Sequence, residues 1–192
     1  MTRVTLHTAE TAPEASRPLL DRLAETSPGL GRTINLWAAM AGDPMTLAAY
    51  VGIREAIAAH PTLDPKTRAA VALAAGSAVD GPYSTLVNLR LAERGGWTAD
   101  EVSSIRVGAA VEPRLDTLLA VTREAAANAG RVRSSTWERA AAAWSEQELI
   151  GTLTFVVLTG FIDAFTRLVD LEIAIPSAAE PAPGAPVASA TR

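Results

Sequence analysis

Apolar residues recur along this chain at helical spacing, and no stretch alternates as a half-buried strand would. "PEASRPLLDRLAET" puts Leu19, Leu20 and Leu23 on one face, and "SPGLGR" breaks the pattern. "TINLWAAMAG" predicts a short apolar helix that Gly42, Asp43 and Pro44 end. "PMTLAAYVGIREAIAAH" then predicts a helix with Pro44 at its first position and His60-Pro61 closing it.

In "TLDPKTRAAVALAAGSAVDG", Asp64 is placed to cap and Pro65 to begin a helix. Val71 to Ala75 carries no polar residue, so this helix is expected to be buried, its alanines and Gly76 admitting neighbours closely. The next helix starts near Pro82 and stops at Gly95 and Gly96. Thr98 and Glu101 have capping-box spacing in "TADEVSSIRVG". Three further helical patterns follow, with Ser134 and Ser145 as caps of the last two. Trp97, Trp137 and Trp144 read as core. The longest apolar run, Leu149 to Ile162, spans fourteen residues and is closed by Asp163. At that length it suits a buried core helix and falls short of a bilayer.

The pattern therefore predicts an all-α fold with one domain over 12–176. A flexible arm at 1–11 precedes it, and a disordered Pro/Ala-rich tail at 177–192 follows. Composition narrows the chemistry further. Net charge is −4 with scattered basic residues, which argues against nucleic acid as a partner. There is no cysteine among the 192 residues, so disulfides, thiolate catalysis and cysteine-ligated metals have no donor here. Two histidines, His7 and His60, are too few for a cluster with the scattered acids, and no metal is expected. His60 reads as a helix C-terminal residue. The N-terminus has no signal-peptide core, which points to the cytoplasm, and no membrane role is expected.

"RAAVALAAGSAVDGPYSTLVNLRLAERGGWTADEV" resembles the carboxymuconolactone decarboxylase / alkylhydroperoxidase AhpD-like family. Weaker similarity runs from "TINLWAAM" to "GFIDAFTRLVD". The redox branch of that family carries Glu-x11-Cys-x-x-Cys-x-x-x-His, with the cysteine pair opening a helix. Here Ala69 stands at the Glu, Gly81 at the first Cys, Ser84 at the second and Asn88 at the His, while a preceding tyrosine is kept as Tyr83. The decarboxylase branch has a His in "LHLRAA"-like sequence, and "VNLRLA" again puts Asn88 there. The resemblance implies the family's single-domain helical fold and a trimer or hexamer. It also implies a cofactor-independent lyase, decarboxylase or isomerase acting on a small acidic or carbonyl metabolite. Thiol peroxidase chemistry is excluded, because serine has no counterpart to a sulfenic acid.

On this reading the catalytic candidates are Tyr83, as an acid, and Ser84, in a helix first turn whose N–H groups and dipole favour an anion. Asn88 lies one turn on and is suited to orienting a carbonyl or enolate. Gly81 and Trp37 are expected to shape the substrate site, and Arg68 to pair with a substrate carboxylate. Each has a structural alternative: Gly81 and Ser84 in a tight turn, Asn88 on a backbone carbonyl, Arg68 at the surface, Trp37 in the core. The corresponding functional alternative is a ligand-binding or structural oligomer that has lost its catalytic residues.

Overall fold

The computed structural model describes residues 2–27, 34–109 and 111–173, and among them there are helices and turns but no strand. The all-α class is borne out. After a 3-10 turn at Glu14–Ser16 the helices are α1 (Arg17–Glu25), α2 (Asn35–Met40), α3 (Pro44–Ala59), α4 (Pro65–Ala78), α5 (Pro82–Arg94), α6 (Ala99–Val107), α7 (Pro113–Ala127), α8 (Ser134–Ala141) and α9 (Glu146–Leu168). Their described residues fall into two compact units, one of those up to 49 together with 171–173 and the other of those in 50–170, and α3 begins in the first and ends in the second. Apart from Ser27, the expected break at "SPGLGR" lies outside the described residues, as does the expected tail at 177–192.

In the first unit, α1 buries Leu20 and Leu23, while Leu19 stays half-buried. The second helix has no polar residue after Asn35, and Leu36 through Met40 are all buried. The amide of His7, in the expected arm, donates to the Ala38 carbonyl at 2.9 Å, and Thr8 N–H donates to Thr11 Oγ1 at 2.8 Å.

The second unit is organised around α4, which packs against α5, α6, α7 and α9. Val71, Leu73, Ala74, Ala75 and Gly76 are all buried, as the unbroken apolar run requires. Leu73, Ile105, Leu118 and Leu119 are fully enclosed around it. Each such side chain contributes roughly 1.5–3 kcal/mol of transfer free energy. Helix starts follow their caps. Asp64 accepts from Lys66 N–H at 2.9 Å and Thr67 N–H at 3.0 Å. Thr98 with Glu101, and Ser145 with Glu148, form complete capping boxes.

Three expectations are corrected here. Ser134 is the first helical residue of α8 and makes no cap bond; Arg133 holds the cap position. The start of α8 is fixed by Glu124 of α7, which accepts from Arg133 N–H at 2.9 Å and from Thr136 Oγ1 at 2.8 Å. These donors and the Arg133 guanidinium, foremost among them, hold the Glu124 carboxyl down at about 2. Trp137 is 39% exposed and so is not core, whereas Trp144 is buried and donates Nε1–H to the Arg114 carbonyl at 2.9 Å.

The third correction concerns α9. It runs 23 residues, long and apolar enough by length and composition alone to cross a membrane, and it is buried on one side only, where Leu149 and Phe155 join the core. Ile150, Leu153, Val157 and Leu168 face outward, while Thr152, Thr159, Asp163 and Thr166 are buried. Threonines can face inward because the helix backbone takes up their hydroxyls. Thr152 Oγ1 donates to the Leu149 carbonyl at 2.6 Å and Thr166 Oγ1 to the Asp163 carbonyl at 3.2 Å.

Candidate functional site

The link from α4 to α5 is a Schellman turn. Asp80 takes the left-handed position with φ 48°. Gly81 N–H donates to the Gly76 carbonyl at 3.0 Å and Asp80 N–H to the Ser77 carbonyl at 3.4 Å. Pro82 then sets the first helical residue of α5, where its missing N–H costs nothing. This much the local sequence dictates.

What holds the turn comes from α9. Ser84 Oγ donates to Asp163 Oδ2 at 2.6 Å, and Ser84 N–H donates to Asp163 Oδ1 at 3.3 Å. Arg167, one turn beyond Asp163, donates from Nη2 to the Val79 carbonyl at 2.7 Å and the Asp80 carbonyl at 3.0 Å. One helix thus clasps the turn by both its donors and its acceptors. Asp163 is only 2% exposed, and burial pushes its carboxyl above the usual carboxylate range. The Ser84 bonds and the Arg167 charge pull the other way. A Cβ built on Gly81 would fall inside the Asp163 carboxylate, and one on Gly76 would come within 2.7 Å of Ser84 Oγ. Both glycines are therefore needed for close approach, and neither has a positive φ.

This corrects the expected anion site. The N-terminus of α5 does favour an anion, but the protein's own Asp163 carboxylate occupies it. Ser84 is 1% exposed and committed to that carboxylate, so it is not presented to substrate. Tyr83 is also 1% exposed, which removes it from the reach of a solvent-borne substrate. Asn88 Nδ2 donates to the Ala72 carbonyl at 3.0 Å, tying α5 to α4. Trp37 belongs to the first unit and is 2% exposed. Arg68 lines a separate cleft with His60.

Of the expected residues only Gly81 reaches the wall of an opening beside the turn. This groove measures about 570 Å³, and its polar lining is Ser77, Asp80, Thr85, Ser103 and Arg106, with Leu86, Leu89 and Val107 supplying apolar surface. Ser77 Oγ is buried without a hydrogen-bond partner among the described residues. Arg106 lies exposed near the end of α6 with no ion-pair partner among them. A guanidinium, a carboxylate and hydroxyls around an apolar patch suit a small molecule bearing a carboxylate. No group of three or more His, Asp or Glu able to hold a metal occurs among the described residues.

Sequence reasoning missed Asp163 and Arg106. The signal for Asp163 was present: a lone carboxylate inside "TGFIDAFTRL", with Arg167 four residues on. Arg106 carried no such signal, because only the rotation of α6 against α5 brings it to the groove.

Residues 44–127 match the model of the carboxymuconolactone decarboxylase family. The chain also has structural relatives. A cysteine-to-alanine variant of the debrominase Bmp8, solved with 2,3,4-tribromopyrrole, superposes with TM-score 0.76 at 19% identity, covering 91% of this chain and 92% of that one. An AhpD-core, peroxidase-related protein from Ralstonia eutropha gives 0.77 at 13% identity, with 90% and 92% covered. A peroxidase-related protein from a Silicibacter species gives 0.70 at 15%, with 92% of each chain covered. At these identities the likeness is one of fold. No curated protein matches the chain.

Proposed function

We propose, for a chain that carries the carboxymuconolactone decarboxylase / AhpD-like fold and matches that family's model over 44–127, a cofactor-independent, non-redox role on a small acidic or carbonyl metabolite. Its reaction would be of lyase, decarboxylase or isomerase type. The observation that carries this reading is the groove beside the α4–α5 turn, lined by an exposed carboxylate and by a guanidinium and a hydroxyl that have no partner among the described residues. Arg106 anchors the substrate carboxylate. Ser77 and Thr85 donate to a carbonyl or enolate oxygen, and Asp80 accepts a proton at the groove edge. The chain has no thiol with which to follow a cysteine-based route.

The test is titration of the protein with a panel of small mono- and dicarboxylic acids, followed by NMR. Arg106→Gln is expected to weaken the tightest binder about tenfold, the lower end for loss of a charge-assisted hydrogen bond. Identical binding of every acid by the variant would remove the groove from consideration. A second reading, a ligand-binding or structural protein without catalysis, is favoured by Ser84 and Asn88. At the family's second Cys and His positions these side chains bond within the fold. Acids that bind but show no turnover and no exchange of α-hydrogen with deuterated water would favour that reading.

The outward apolar stripe of α9 supports a further part of the proposal, a homo-oligomer in which a second copy covers Ile150, Leu153 and Val157. Light scattering is expected to give a trimer or hexamer, and Leu153→Glu with Val157→Glu to shift it to monomer. A monomeric parent at micromolar concentration would overturn this part.

A further inference from the structure

We propose that a second cleft, in the same unit but away from the groove, binds a short-chain carboxylate. It opens between the end of α3, the 60–62 link, the first turns of α4 and the first half of α9, with a volume of about 190 Å³. Its polar lining is His60, Thr62, Arg68 and Thr154, and Ile57 and Phe155 are apolar walls. None of its lining residues is acidic. The Arg68 guanidinium has one neighbour, the Ile57 carbonyl, accepting at a long 3.5 Å, and no carboxylate among the described residues pairs with it. The His60 ring and the Thr62 and Thr154 hydroxyls make no hydrogen bond within the described residues.

The His60, Thr62 and Thr154 side chains and the spare N–H groups of Arg68 thus line one concavity without a partner among the described residues. The chemistry selects the ligand. A guanidinium with spare N–H donors matches a carboxylate in two-pronged geometry, and the hydroxyls and imidazole add donors beside it. The space equals about six liquid waters, which admits an acid of roughly four to seven heavy atoms. Its hydrocarbon end would lie on Phe155, which is 9% exposed, and on Ile57. The approach of α9 to the link sets the size limit: a Cβ built on Gly151 would fall on Thr62 Oγ1. Inorganic phosphate would leave those apolar walls uncovered, so a carboxylate with a short tail is the better fit.

Butyrate is the probe, added to the full chain and followed by NMR of backbone amides. Shifts are expected at 57–62 and 151–155, saturating with butyrate and weak with butyramide or phosphate. Arg68→Gln is expected to raise the butyrate dissociation constant at least tenfold. Thr154→Leu, at a half-exposed helical position, fills the cleft and is expected to do the same without altering the charge. Arg106→Gln should leave these shifts unchanged, which separates this cleft from the groove proposed above. Phosphate binding as tightly as butyrate would overturn the ligand class. Butyrate shifts that survive both Arg68→Gln and Thr154→Leu, or that vanish only in Arg106→Gln, would overturn the site.

Discussion

Gly81→Ala is expected to lower the melting temperature of this protein by about 6–12 °C, which corresponds to ~3 kcal/mol in a chain of this size. The new methyl has nowhere to go, because the ideal Cβ position lies within the Asp163 carboxylate. Relief requires α9 to withdraw from the turn. That movement would lengthen the 2.6 Å bond from Ser84 Oγ and strip the α5 N-terminus of its anion. Backbone conformation is not at issue, since φ at Gly81 is −79° and any residue adopts it. Alanine at Gly52, where a Cβ meets nothing within 4 Å, is the matched control and should melt with the parent or slightly above it. Thermal unfolding followed by circular dichroism checks both. A Gly81→Ala protein that melts within 2 °C of the parent (about 0.5–1 kcal/mol) would show that the clasp is looser than its geometry.

The glycine also illustrates which parts of this structure the sequence made legible. Helix starts were readable because a cap lies within three residues of what it caps. Asp64, Thr98 and Ser145 all bond as their spacing predicts. The burial of α4 was readable because a run without polar residues has no other stable place. Gly81 was visible only as a replaced cysteine at a turn. Its actual reason, Asp163, lies 82 positions downstream (163 − 81). No local pattern encodes a contact of that kind. The outward face of α9 went unseen for a related cause. Thr152 and Thr166 satisfy themselves against their own backbone and turn inward beside Leu149 and Phe155, so the apolar run alone does not show which of its residues stay exposed. Arg68 and His60 looked unrelated in sequence, and the short link from the end of α3 into α4 brings them to one cleft.

Asp163→Ala is expected to cost about 2–4 kcal/mol, since two donors, the Ser84 N–H and Oγ–H, lose their acceptor in a buried place. Ser84→Ala in the same background should cost little more. Their coupling energy in a double-mutant cycle is then about 1–2 kcal/mol. Asp163→Asn isolates the charge from the shape. Burial raises the folded-state carboxyl above its ordinary 3.8, so between 3.8 and that higher value the native protein keeps a proton that the unfolded chain has released. Unfolding free energy therefore falls as pH rises through that window; this residue's contribution is fully present below 3.8 and lost above the folded value. Asparagine has no such proton. Urea midpoints from pH 3.5 upward should show Asp163→Asn gaining on the parent as pH rises, even though Glu124, Asp64 and the other depressed carboxyls drive both proteins the opposite way. Those groups are common to both and cancel in the difference. A difference that stays flat across the acid range would mean that the buried carboxylate does not change its proton affinity on folding. The clasp would then owe its hold on the turn to hydrogen bonds alone.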